Sequence, residues 1–354
     1  MAATPDGHPM TSGVPSANLR TPGDRGRGAR LATRGPRTRA PRPSSRAWRA
    51  LRRDPLALAA TIVLLFVIVF CAGASLISQH ITHFGYAEQD LTSRLVAPGT
   101  EVTLQHLGTD GELETVTRTY WLGADELGRD ILTRLAYGGR ISLAVAAGSL
   151  ILALTLGLIT GVAAGYLGGI VDSVIMRVVD MVLSIPSLFI LLLISALVNN
   201  SAVITGTALY ENYGWLLLPV AISLISWTTL ARLVRGEVRL VKEQEYVAAA
   251  RVLGVRTSVL IRRHVLRNIM PVVVIWSALA VPILIILEAG ISFLGFGARV
   301  PTPSWGNMLS RSTSVFLTAP HVVIAPGLAI LVTTMAVNFM ANALRDAFDP
   351  RRYR

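Results

Sequence analysis

Apolar residues run almost unbroken through residues 55–77, 141–167, 181–198, 212–231, 268–287 and 322–344. Each run meets or nears the ~20 residues a helix needs to cross the hydrocarbon core of a bilayer. The pattern predicts six transmembrane helices and an all-α polytopic membrane fold, because a spanning backbone must satisfy its hydrogen bonds within each helix. The third run is the shortest and has Asp180 and Pro186 near its start. Between the first two runs the pattern changes. Residues 100–105 and 114–120 alternate polar and apolar around Asp110 and Gly111, which predicts a small β-hairpin. From Asp130 onward, Ile131, Leu132, Leu135 and Ala136 recur at helical spacing with Arg134 opposite, predicting an amphipathic helix in the membrane interface. Trp121 and Tyr137 suit an aromatic belt at headgroup level.

One polar stretch parts the fourth and fifth runs: residues 245–254 (EYVAAARVLG), followed by 262–268 (RRHVLRN). It predicts a short helix held on the membrane surface between two spanning helices. Gly254 can end it, since glycine adopts the left-handed geometry that helix C-termini often need. The small residues Ala248, Ala249 and Ala250 would let another protein approach closely. A membrane protein presenting such a knob passes force or signal to a soluble partner.

Charge sorting fixes the orientation. The formal charge of +12 is concentrated in residues 1–53, where twelve arginines face only Asp6 and Asp24 among seven prolines. This composition predicts a disordered arm. An arm that binds anionic lipid or nucleic acid competes with a solvated tail that keeps the N-terminus inside, and the positive-inside rule favours the tail. Residues 56–70 with Ala72, Gly73 and Ala74 have the look of a cleavable signal, but the preceding segment is far too long for one, so the first helix reads as uncleaved. The stretch 232–267 carries nine basic residues against Glu237, Glu243 and Glu245, whereas 79–140 has nine carboxylates and five arginines. Both termini and the basic loop are therefore expected in the cytoplasm, and the acidic loop outside. The expected organisation is a tail (1–50), a first helix (51–78), an extracytoplasmic loop (79–140), a five-helix core containing the cytoplasmic loop 232–270 (141–345), and a second tail (346–354).

Little in the chain points to covalent chemistry. Cys71 is the only cysteine, so an intrachain disulfide and a cysteine metal cluster are excluded. There is no HExxH pair and no phosphate loop ending in lysine; Lys242 is the only lysine. Among groups near the membrane interior, Glu288 is expected to pair with an arginine of an outer loop or to meet substrate. Asp180 is expected to pair with Arg177, three residues away on the same helix face. Asn338 can bond across helices or face a translocation path. Gly157, Gly161 and Gly165 form a smooth stripe for close helix approach, with a pore-lining role as the alternative. Pro186, Pro219 and Pro282 are expected to kink their helices.

Several blocks together resemble the inner-membrane permease of an ABC importer, in particular the C-type subunit of dipeptide and oligopeptide permeases. Residues 121–143 resemble its LGTDELGRD-x-LSRL-x-YG-x-R-x-SL signature, and 165–169, Asp172, 175–177, Asp180, Ser184 and Pro186 resemble its second block. Residues 245–271 resemble the EAA loop, and 288–297, 301–306 and 344–350 the remainder. The resemblance runs from about residue 52 to the C-terminus. It implies the type I importer permease fold in the cytoplasmic membrane and alternating-access transport of peptides. Nickel or another small solute is the alternative cargo, and an ion channel or a membrane enzyme the rival class. The implied partners are a homologous B-type permease, two ABC ATPase subunits (or one fused), an extracytoplasmic substrate-binding protein and the lipid membrane, with no nucleic acid. ATP and Mg would be bound by the ATPases, and this chain would need no cofactor or metal and perform no catalysis. Glu245, Tyr246, Ala248, Ala249, Ala250, Arg251 and Gly254 become the ATPase-coupling residues. Glu288, Asn338, Asp180 and Pro186 become translocation-path or structural residues, and Asp125, Glu126, Arg129, Asp130 and Trp305 external contacts. Two positions depart from the family pattern: Ala248 stands where the EAA loop has glutamate, with Glu245 able to supply part of that charge, and Arg267 stands where it has proline.

Overall fold

The computed structural model describes residues 54–107, 113–201, 205–207 and 214–348. The arginine-rich tail and the Asp110-Gly111 turn lie outside the described residues. Helix α1 (Pro55–Ala72) starts on Asp54, whose carboxylate accepts from the Leu56 amide at 3.0 Å, with Pro55 in the first turn. Proline is at home there because its missing N–H would be unpaired anyway. After Gly73 the chain makes one more helical turn (Ala74–Ile77) and a π-helical turn (Ser78–Thr82). Arg140 covers the end of α1: its Nε donates to the Cys71 carbonyl at 2.7 Å and its Nη2 to the Ala72 carbonyl. A guanidinium is well placed at a helix C-terminus, where carbonyls lack partners and the dipole is negative.

Strands β1 (Thr100–Leu107) and β2 (Leu113–Tyr120) pair antiparallel from Thr100 opposite Tyr120 to Leu107 opposite Leu113, as the alternation predicts. The amphipathic stretch after Asp130 is not a separate interfacial helix. It forms the first turns of α2 (Ile131–Leu167), a single helix of 37 residues. Ile131 packs against Met308, Ala319 and Val322 instead of lipid. Distant parts of the chain cover the apolar stripe.

The third apolar run is broken. α3 (Gly169–Leu183) and α4 (Ser187–Asn200) meet at an 87° bend, and Pro186 caps the second of them. The residue before a proline is pushed out of helical geometry, which accounts for the break at this point. Next come α5 (Leu217–Lys242), α6 (Glu245–Val252), α7 (Leu266–Phe293), α8 (Trp305–Arg311) and α9 (Pro320–Phe348). Among the described residues, five helices are long and apolar enough to cross a membrane, and the bent pair makes six if it counts as one span. The two other prolines both lie within helices. Pro219 lies in the first turn of α5 and Pro282 within the continuous α7.

The most extensive helix contact in the bundle joins α2 to α5. A Cβ at Gly157 would come within 2.8 Å of the Leu230 side chain, one at Gly161 within 2.7 Å of the Ala231 carbonyl, and one at Gly165 within 2.8 Å of the Arg235 carbonyl. The stripe is therefore a packing surface. Such close approach matters in lipid, where helix association relies on van der Waals contact between small residues. Around this seam lie two apolar clusters. One contains Val145, Ile222, Leu284 and Ile285; the other, toward α6, contains Leu230, Val234, Val238 and Ile269.

At the hairpin end, α2 is anchored in a polar cap. The Asp125 carboxylate accepts from the amides of Leu127 and Arg129 and from Arg129 Nε at 2.7 Å, with Arg134 Nε 3.6 Å away. Arg134 also donates to the Tyr86 carbonyl, and Tyr120 Oη to the Gly128 carbonyl. Asp130 caps α2 by accepting from the Thr133 amide and hydroxyl, both at 2.7 Å. Burial pushes the Asp130 carboxyl up to about 6, against the opposing effect of these hydrogen bonds.

Two consequences are measurable. Replacing Gly161 with valine should lower stability in detergent by about 1–3 kcal/mol, because the added carbons have nowhere to go; Gly236→Ala, where nothing lies within 4 Å of the added carbon, should leave the melting temperature nearly unchanged. For Asp130, the folded acid holds its proton more tightly than the unfolded one. Its stabilising contribution is complete below about pH 4 and lost as pH rises through about 6. Asp130→Asn keeps a capping oxygen and should remove that decline, seen as a flatter melting temperature between pH 4 and 7.

Candidate functional site

Helix α6 hangs from α5 at the end of the molecule opposite the hairpin. Lys242, the last residue of α5, donates to the Tyr166 carbonyl near the end of α2 at 2.8 Å, and its ammonium lies 5.5 Å from the Tyr166 ring centre. Two residues later α6 begins. Its inward anchor is Val247, which is fully buried in the apolar cluster that also holds Val238, Leu260 and Val265. Tyr246 ties the far side: its hydroxyl accepts from Asn268 Nδ2 at 2.8 Å, and its ring lies 6.0 Å from that of His264.

The helix ends as the sequence predicts. Gly254 has φ +75°, donates to the Arg251 carbonyl, and is followed by a bond from the Val255 amide to the Ala250 carbonyl at 3.1 Å. This left-handed reversal satisfies carbonyls that the helix end would leave unpaired. Glu245, Ala248, Ala249 and Arg251 are exposed and Ala250 half-buried. The sharpest feature was not singled out from the sequence. Val252 and Leu253 are 88% and 82% exposed, a bare apolar tip. Spacing could have revealed it: Val247 and Val252 are five apart, about 140° round a helix, so one cannot be buried with the other.

Carboxylates fix this end of the bundle. Asp172, in the first turn of α3, accepts from Arg235 Nη2 at 2.8 Å and also from Arg235 Nε and Arg239 Nη2. Asp180 pairs with Arg232 of α5 at 2.6 Å, and not with Arg177. A partner on the neighbouring helix competes with the intrahelical one that spacing alone offers. Pro186 is exposed at the bend, and Asn338 is exposed on α9.

Glu288 also differs from expectation. It is fully buried, its Oε1 accepts from Ser292 Oγ at 2.7 Å, and the hydroxyls of Ser142 and Ser304 lie beside it. No arginine pairs with it among the described residues. Ser304 also starts α8 through a capping box with Asn307, and Trp305 (1% exposed) donates its amide to Ser142 Oγ and its Nε1 to the Leu135 carbonyl. Glu288 thus sits in a hydroxyl-lined joint among α2, α7 and α8. Of the residues expected to make outer contacts, Asp125, Arg129, Asp130 and Trp305 are buried in the cap, whereas Glu126 is half-buried and accepts from Ser314.

Residues 133–354 match the family described as the binding-protein-dependent transport system inner membrane component. Residues 42–98 match the N-terminal TM domain of oligopeptide transport permease C. The oligopeptide transport system permease protein OppC of Escherichia coli K12 is 34% identical over 86% of this chain and 91% of its own length. The dipeptide transport system permease protein DppC of Alkalihalophilus pseudofirmus is 31% identical over 87% and 90%. A putative peptide permease protein of Brucella ovis is 38% identical over 66% and 73%. Among solved structures, a chain of the inward-facing MetNI methionine ABC transporter aligns with TM-score 0.46 and 18% identity, covering 61% of this chain and 96% of that one. The matched segments span both the first helix and the core that carries α6, and the chain therefore belongs to the inner-membrane components of binding-protein-dependent transport systems, in their oligopeptide permease C group.

Proposed function

We propose that this chain is the permease subunit of an ATP-driven peptide importer and that α6 is its coupling helix. The observation that carries the assignment is the apolar tip of Val252 and Leu253, held out from the bundle by the burial of Val247. An apolar knob on a rigidly seated helix gains by entering a cleft on another protein, and an ATPase subunit supplies one. Glu245, Tyr246, Ala248, Ala249, Ala250, Arg251 and Gly254 form the surround of that contact. Glu245 and Arg251 frame it with opposite charges, and the alanines keep the docking face flat.

In this reading the α6 end faces the cytoplasm, with both termini, in line with the basic character of residues 232–267. ATP binding closes two ATPase subunits and draws together the coupling helices of this chain and a homologous B-type permease. Because α6 is joined to α5, and α5 to α2 through the glycine seam, the motion passes into the spanning helices as a body. The cavity between the two permeases then opens toward an extracytoplasmic substrate-binding protein that delivers the peptide. Hydrolysis and product release reset it. ATP and Mg belong to the ATPases; this chain binds, transmits and conducts. Peptide cargo is the reading supported by the names of the OppC and DppC relatives.

The test replaces Val252 and Leu253 with aspartate in the assembled transporter. Stimulation of ATP hydrolysis by the loaded binding protein should fall at least about tenfold, the cost of about 1.4 kcal/mol in coupling, while the variant still reaches the membrane. Unchanged stimulation would remove α6 from the coupling role.

A further inference from the structure

Beside the root of α6 three arginines line one groove with no ion-pair partner among the described residues. Arg262 and Arg263 lie in the π-helical turn Ile261–Val265, and Arg267 lies in the first turn of α7. Together with Ser258 and Val259 they line a groove of about 690 Å³ that has no carboxylate among the described residues. The contrast with α5 is sharp. Arg232, Arg235 and Arg239 are each held by Asp180 or Asp172, whereas Arg262, Arg263 and Arg267 are exposed and form no ion pair among the described residues. The π turn helps to bring them together. Residues five apart, such as Arg262 and Arg267, would diverge by about 140° in regular α-helical winding, and a turn closed by i→i+5 bonds lets them share a face.

The groove also has a definite depth. Between Arg267 and Glu288 the chain carries no charge, a run of 20 residues, 268–287. At 1.5 Å per residue that run covers about 30 Å, the hydrocarbon thickness of a bilayer. Arg267 therefore stands at the boundary on the α6 side, with Arg262 and Arg263 about one turn further out. Lipid phosphates occupy that level.

We propose that this groove binds the phosphate of an anionic phospholipid headgroup in the leaflet on the α6 side. A guanidinium is weakly hydrated and presents a planar fork that matches phosphate oxygens in pairs, and the Ser258 hydroxyl offers one more donor. The site depends on the position of the span and not on any ATPase contact, so its failure and that of the coupling assignment are separable.

The experiment uses the full chain, purified with its transporter partners and reconstituted, and reads the immobilised fraction of spin-labelled phosphatidylglycerol against spin-labelled phosphatidylcholine. The wild type should prefer phosphatidylglycerol. R262Q/R263Q/R267Q should reduce that preference by roughly fivefold for each arginine. R345Q, at the same end of α9, should leave it unchanged. Should the triple variant fail to accumulate, R267Q alone should give a single fivefold step. Retained preference in the arginine variants, or an equal loss in R345Q, overturns the site. So does full displacement of the lipid by millimolar inorganic phosphate, which would make free phosphate the ligand. Loss of the ATPase subunits from the triple variant with lipid preference intact would make the groove a protein contact and likewise overturn it.

Discussion

The close approach of α2 and α5 is the constraint from which the rest of the molecule follows. Without a Cβ at Gly157, Gly161 and Gly165, the two backbones meet near enough for the carbonyls of Ala231 and Arg235 to face the glycines directly. That proximity sets the reach of everything attached. It allows Lys242 to bond the Tyr166 carbonyl, and it brings Arg235 and Arg239 within range of Asp172 just beyond the end of α2. It also decides where α6 begins, because only two residues separate that helix from α5. In a bilayer no hydrophobic force holds two apolar helices together. Contact between smooth surfaces must do so, and a single large side chain in the seam would undo several polar contacts at once.

Charged groups fall into two kinds in this fold. In the cap, Asp125 saturates its oxygens with Arg129 and two backbone amides, and Arg134 spends donors on carbonyls. Buried charge is costly unless paired and hydrogen-bonded, and Asp125 and Arg134 find their partners within the cap. At the opposite end the arginines of the π turn are exposed and have no ion-pair partner among the described residues. The first arrangement builds a rigid structure, and the second leaves binding capacity unspent.

The sequence makes the spans legible because twenty uncharged residues admit few other readings, and the hairpin because its alternation is strict. It makes Gly254 legible because a glycine closing a short polar helix has one common conformational use. What it conceals depends on contacts from afar. The pattern after Asp130 shows an apolar stripe but not that Met308, Ala319 and Val322 cover it, so lipid seemed its natural neighbour. Asp180 has Arg177 three residues away in sequence, yet the bundle delivers Arg232 from another helix. Glu288 reads as a charge needing an opposite charge, and the fold supplies serine hydroxyls. Val252 and Leu253 escaped for the reverse reason: apolar residues are read as interior by default, and only the burial of Val247 turns them outward.

Helix α2 is 37 residues long, about 55 Å, and so extends well past a 30 Å hydrocarbon layer. Its surplus turns are the floor of the cap, with no hinge between the part in lipid and the part in water. The bilayer therefore acts as a fulcrum. A tilt of roughly ten degrees displaces one tip relative to the other by nearly 10 Å over that length, enough to carry Trp305 and the neighbouring hairpin sideways together. Whatever rests on the hairpin end must ride with this helix, so a displacement at one end of the bundle reaches the other through a single uninterrupted strut.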